Sequence, residues 1–361
     1  MGKKAAILLL TMIVLMGLSG WYVVGGIQAY SRYQQSGMAS QEHCGGQSPV
    51  HICVQSPLEI FSAYYPYYVA TQSNVFVIRY SSSSPITLVM SASVEGFSQA
   101  ETHTVNATID VKSIGFRPLA ITQAVHQLIV DTNTWLQVRI TDTAGHMYYV
   151  NDSPLLLHSR WLMQWIAANR LKIAAWVTPD DPSVIALDKK AEVRLQLQQQ
   201  PIPPAMIGYA SGASARAVRD QVDAIFDAMR LDYHIRYSQE SIPYSGQGDT
   251  IVALQKIKLP VEVLQQRSGM CIELTTLLAS AVERIGLHAE IVIIPGHAFL
   301  GVAVTPQNTQ FEYWDAVQVN DNIAGDSANL WTDKEYMQNA KQIVDTIVIS
   351  DARHQGVGPM L

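Results

Sequence analysis

From Ala5 to Ser31 the chain carries no charged residue at all. That absence excludes a solvated loop, and AAILLLTMIVLMGLSGWYVVGGI is apolar enough, and long enough at about 20 residues, to form a membrane-crossing helix. Lys3 and Lys4 precede the segment and only Arg32 follows closely, an asymmetry that predicts a cytoplasmic N-terminus and an extracytoplasmic bulk. A cleaved signal peptide with Ala29 near the cut is the competing reading. The apolar stretch exceeds the roughly 7–15 residues of a signal core, which favours the uncleaved anchor.

Also missing is any run of five like charges, and 24 basic against 30 acidic residues leave a net charge of -6. Such a chain has no stripe of cations for a polyanion, which excludes nucleic acid as a partner. At 361 residues burial is not limiting, and the length predicts about two domains beyond the apolar segment. Nothing in the sequence sets the oligomeric state.

Cysteine is scarce, with three in all. Cys44 and Cys53 lie in HCGGQSPVHIC, just beyond the apolar segment, where an oxidising compartment favours a disulfide closing a small loop. His43 and His51 allow a sharper idea, a Cys2His2 metal site, but such sites usually separate their ligand pairs more widely. Pairing Cys44 with Cys53 leaves Cys271 alone, either as a reactive thiol or as apolar filling.

Residues 1–31 are thus read as membrane anchor or signal segment, and 32–55 as a linker holding the Cys44–Cys53 pair. The polar, Gly/Ser-rich stretch from about Gln34 to Gln47 is expected to be an unpacked tether. Between residues 56 and 157, NVFVIRY, ITLVMSASV, THTVNATIDV, HQLIVDT, WLQVRITD and MYYV alternate with period two between Ser/Gly/Asn/Asp clusters. That pattern predicts an antiparallel, immunoglobulin-like β-sandwich without significant helix. From 158 to 361 the reading is an α+β domain. It opens with RWLMQWIAANRLKIAAWV as helix and continues with a helix over SARAVRDQVDAIFDAMR, whose Val218, Val222, Ile225 and Met229 share a face. Strands come later.

In that second domain Cys271 is predicted to lie in the first turn of a helix running to Ile285 and stopped by Gly286, with Ser268 as a candidate N-cap. Unpaired N–H groups and the positive helix end favour thiolate there. Against this, Cys271, Leu274, Leu278, Ala281 and Ile285 form one apolar stripe in which cysteine could be core filling. Downstream, His297 opens the apolar strand AFLGVAV after Pro295-Gly296, and Asp315 sits in FEYWDAV, where a half-buried carboxylate needs a partner. If the two strands are antiparallel neighbours, Asp315 can orient His297, and His297 can take the proton of Cys271.

RSGMCIELTTLLASAVERIGL, AEIVIIPGHAFLGV and EYWDAV resemble the Cys, His and Asp blocks of the transglutaminase-like superfamily, strongly over about residues 255–318. More loosely, AAWVTPDDPSV and the helix near 215–230 resemble the upstream part of bacterial membrane-anchored members. The resemblance implies a papain-like fold with Cys271 as nucleophile, His297 as base and Asp315 as orienting group. Two departures are the Ala298-Phe299 pair after the histidine, where many members have tryptophan, and Ala316-Val317 after the aspartate, where they have Pro-Thr. Clustered acidic loops like those binding calcium in animal transglutaminases are lacking, so neither metal nor cofactor is implied. Glu273, close to the helix start, is read as complementing the helix dipole rather than as a catalytic acid.

The expectation is a membrane-anchored extracytoplasmic cysteine enzyme forming a thioester with a peptide or protein substrate, as peptidase, amidase or acyltransferase. The rival is a catalytically inactive relative that binds or scaffolds at the cell surface.

Overall fold

The computed structural model describes residues 40–198, 206–210, 214–239, 253–321 and 323–360. Its first element is a hairpin of strands Ser40–Gly45 and Val50–Pro57, in which Cys44 lies directly opposite Cys53 and the two are joined as a disulfide. Ser40–Gly45, inside the stretch expected to be an unpacked tether, is therefore an edge strand. Gly46 turns the chain at φ 122°, and a Cβ there would meet the Val50 carbonyl oxygen at 2.6 Å, so the corner requires glycine.

Two sheets carry the first half. One has four antiparallel strands, ordered Ser40–Gly45, Val50–Pro57, Phe76–Ser82 and Lys112–Phe116. The other has five, ordered Glu59–Phe61, Met147–His158, Thr132–Asp142, Ile86–Val94 and Glu101–Ala107. Alternation along these strands turns Ile52, Val54, Ile78, Leu88, Met90, Val138 and Ile140 into a common core, where large aliphatics leave water.

The predicted fold class needs correction. The described residues are mixed α/β with strands spread over five sheets, not an antiparallel sandwich without significant helix followed by a helix-first α+β domain. Helices Tyr65–Ala70 and Thr122–Gln127 interrupt the first half, and Glu59–Phe61 pairs with Met147–His158 in parallel. No helix among the described residues is long and apolar enough to cross a membrane; the segment 5–31 expected to do so lies outside them.

RWLMQWIAANRLKIAAWV also departs from the expected helix. Leu162–Trp165 is a strand paired antiparallel with Ala253–Lys256, and Arg170–Trp176 is a 3-10 turn. All four residues of Leu162–Trp165 are buried, so the segment is covered on both faces and has no single helical stripe to pack. Helix Pro182–Gln198 follows and packs against helix Ala215–Leu231, whose N-cap Ser214 accepts from the Ala217 amide at 3.2 Å. Val218, Val222, Ile225 and Met229 are all buried on the predicted face.

At the centre runs helix Cys271–Arg284, buried along its length up to Val282 and ended by Gly286 at φ 83°. It packs on an antiparallel sheet ordered Phe311–Trp314, His297–Ala303, Ala289–Ile294 and Asp345–Val348. The flanking helices cover the sides of this helix that the sheet does not.

Candidate active site

Cys271 is the first residue of its helix, after Met270 in extended conformation rather than the predicted Ser268 cap. Glu273, two residues on, caps this end: its Oε2 accepts from the Met270 amide at 2.9 Å and its Oε1 from the Lys258 amide at 2.8 Å. The Lys258 ammonium lies 3.5 Å from Glu273 and 3.3 Å from the Ser268 carbonyl, so the acid is committed to holding the loop that delivers the cysteine. Cys271 as a whole is 3% exposed.

His297 begins strand His297–Ala303, next to Phe311–Trp314. Leu300 faces Trp314, and continuing that register one residue sets Asp315 opposite Phe299, on the strand face that His297 shares. His297 Nε2 lies 2.9 Å from Asp315 Oδ2. The second carboxylate oxygen accepts from the Val317 amide at 3.0 Å, and the Asp315 amide donates to Thr332 Oγ1 at 3.0 Å, so Asp315 is held from both sides.

Burial by itself would strip the proton from His297. The Asp315 carboxylate, hydrogen-bonded to the ring, together with the nearby Cys271 sulfur outweighs it and lifts the imidazole to about 10. With Nε2 engaged by the carboxylate, Nδ1 is the nitrogen left for the sulfur. Thr275 joins the two elements, its hydroxyl lying 2.8 Å from the Cys271 carbonyl and 3.2 Å from that of Ala298. The structure therefore brings Cys271, His297 and Asp315 together in the order sulfur, imidazole, carboxylate. Such a line can pass a proton from thiol to imidazole and return it to a leaving group.

Residues 215–342 match a family model for the transglutaminase-like superfamily. This stretch is a transglutaminase-like domain. The match opens at the first residue of helix Ala215–Leu231 and closes at the end of the short turn Ala340–Gln342, so it contains all three residues. No curated protein matches the chain.

The transglutaminase-like domain is braced around its aspartate. The Trp314 indole donates to Asp223 Oδ1 at 2.8 Å, tying the strand that ends beside Asp315 to helix Ala215–Leu231. Burial, opposed by that hydrogen bond but helped by Asp326, Asp220 and Asp227, raises Asp223 to about 7.

A small cleft opens beside the sulfur; Trp165, Gln255, Ile272, Ile293 and Ala298 line it with Cys271 and His297. Sequence reasoning missed Trp165 and Gln255, which come from the Leu162–Trp165 and Ala253–Lys256 ribbon. It also missed Tyr237, whose phenol is raised by burial and then by the charges of Cys271 and Asp315. Its strand Arg236–Tyr237 pairs in parallel with Ser268–Gly269, immediately before the cysteine loop. A short strand next to a glycine-containing loop was the only available signal. The alternative metal reading of HCGGQSPVHIC finds Cys44, His51 and Cys53 within 4.8 Å of one another, but both sulfurs are spent in the disulfide.

Proposed function

We propose that this chain is a cysteine enzyme acting outside the cytoplasm on peptide or carboxamide bonds through a thioester at Cys271. The observation that carries the reading is His297 held between the Asp315 carboxylate and the Cys271 sulfur at a buried helix N-terminus. The thiolate attacks the carbonyl carbon, forming the C–S bond while the carbonyl electron pair moves onto oxygen. When the C–N bond breaks, the His297 imidazolium gives its proton to the leaving amine. Water or an amine, deprotonated by the now neutral imidazole, then displaces the sulfur. The Cys44–Cys53 disulfide supports an extracytoplasmic location, because such bonds persist in oxidising compartments. Peptide or protein substrates fit that setting.

The inactive, binding-only reading draws on one observation, the 3% exposure of Cys271. Alkylation by iodoacetamide separates the two. An enzyme's Cys271 alkylates fast near neutral pH and loses that rate in His297→Ala. Slow alkylation that is indifferent to the substitution would sink the catalytic reading and leave the binding one.

A further inference from the structure

Acyl transfer through Cys271 passes through a tetrahedral oxyanion, and a buried oxyanion needs hydrogen-bond donors aimed at it. At the first helical position the Cys271 amide has no intrahelical acceptor and can supply one donor. A second is needed from the cleft wall. Of the side chains lining the cleft beside the sulfur and imidazole, Gln255 alone carries an amide. It is 4% exposed.

The orientation of that amide follows from its partner. Trp165 Nε1 lies 2.7 Å from Gln255 Oε1. An indole N–H can only donate, so the oxygen of Gln255 must face Trp165 and the NH2 group must face away from it. Facing away means facing Met270, the residue before Cys271, whose sulfur lies 4.0 Å from Gln255 Nε2. A thioether is a weak acceptor, and at that distance it does little to satisfy a buried amide donor. Gln255 is thus pinned at its oxygen while its donors stand beside the helix start, in the cleft that opens on Cys271.

We propose that Gln255 is an oxyanion-binding residue, its NH2 group donating to the substrate's carbonyl oxygen as that oxygen becomes negative, with Trp165 as the positioning residue that fixes the amide. The assignment rests on the thioester reading above. It deepens that reading by supplying the donor which the Cys, His and Asp blocks leave unnamed.

Two reactions of the same sulfur test it in the full-length protein. Acylation by p-nitrophenyl acetate forms a tetrahedral oxyanion, whereas alkylation by iodoacetamide displaces iodide and forms none. Gln255→Ala, and Gln255→Leu as a variant closer in volume, should lower the acylation rate on the order of 100-fold relative to the alkylation rate. Trp165→Phe keeps the ring but lets the amide turn, and should lower the same ratio by a smaller factor. An unchanged ratio in both Gln255 variants overturns the assignment, as does an equal fall in both reactions, since Gln255 would then act on the thiol or on the fold. These outcomes remain distinct from failure of the underlying reading, which shows in the wild type as alkylation indifferent to His297→Ala and would take the Gln255 assignment with it.

Discussion

Arg219 of helix Ala215–Leu231 and Glu312 of strand Phe311–Trp314, 93 positions apart in sequence, meet in a two-pronged ion pair with Nη2 2.6 Å from Oε1. Nε reaches the other oxygen. Two residues further along, the Trp314 indole grips Asp223 on the same helix. Asp315 therefore stands at the end of a strand that is fastened twice to one helix before it reaches His297.

Removing Arg219 leaves Glu312, 9% exposed at its side chain, without that partner. Arg219→Ala is expected to cost about 1–3 kcal/mol, reduced from the fully buried case because the guanidinium is 40% exposed. Denaturant unfolding measures the loss. Glu312→Gln, which keeps an acceptor and removes the charge, should cost less.

His297 titrates near 10 in the folded chain against an ordinary value of 6.5, because Asp315 and Cys271 together overcome its burial. Its folded value is raised, so its contribution to stability is complete below pH about 6.5 and is lost as pH climbs towards 10. Ring-proton NMR of His297 in wild type and Asp315→Ala checks the cause. Without the carboxylate the midpoint should move down, and acylation of Cys271 should fall on the order of 100-fold or more. A midpoint that stays near 10 would remove Asp315 from its orienting role.

Asp188, on helix Pro182–Gln198, has both carboxylate oxygens buried without a hydrogen-bond partner among the described residues. Burial, only partly offset by Arg284, raises it from 3.8 to about 8. A raised carboxyl keeps its proton in the folded state after the unfolded state has lost it. Stability therefore drains away as pH rises from about 4 towards 8. Asp188→Asn should unfold at a higher temperature than wild type at pH 8, on a scale of about 2–4 °C per kcal/mol for domains of 150–250 residues. At pH 4 the difference should vanish.

The Cys44–Cys53 disulfide closes a short loop between strands already in register. Chain-entropy arguments give about 2–3 kcal/mol for a loop of this length. Reduction should lower the unfolding midpoint accordingly and leave alkylation of Cys271 unchanged. In protein taken from its native compartment without reductant, mass spectrometry after maleimide treatment under denaturing conditions should find one labelled cysteine. Three labelled cysteines would argue against an oxidising location.

What the sequence made legible was local. Helix Cys271–Arg284 was readable because its glycine stop and apolar continuity are encoded within twenty positions, and the His297 and Asp315 strands because a polar side chain stood out in an apolar run. The ribbon carrying Trp165 and Gln255 was not, because its pairing joins segments about ninety residues apart and RWLMQW alone has no period to separate strand from helix. Strand Ser40–Gly45 was hidden for a related reason. Its polar composition matches a tether, and only the partner strand and the disulfide make it part of a sheet.

The ribbon also redraws where the working unit begins. The family match starts at residue 215, yet Trp165, hydrogen-bonded to Gln255 on the same wall of the cleft, lies fifty positions earlier. A fragment cut at the start of the match would keep sulfur, imidazole and carboxylate but lose one wall of the cleft and the partner strand of Ala253–Lys256. Cleft and sequence family thus have different borders in this chain, and any truncation meant to keep both walls of the cleft has to begin before Leu162.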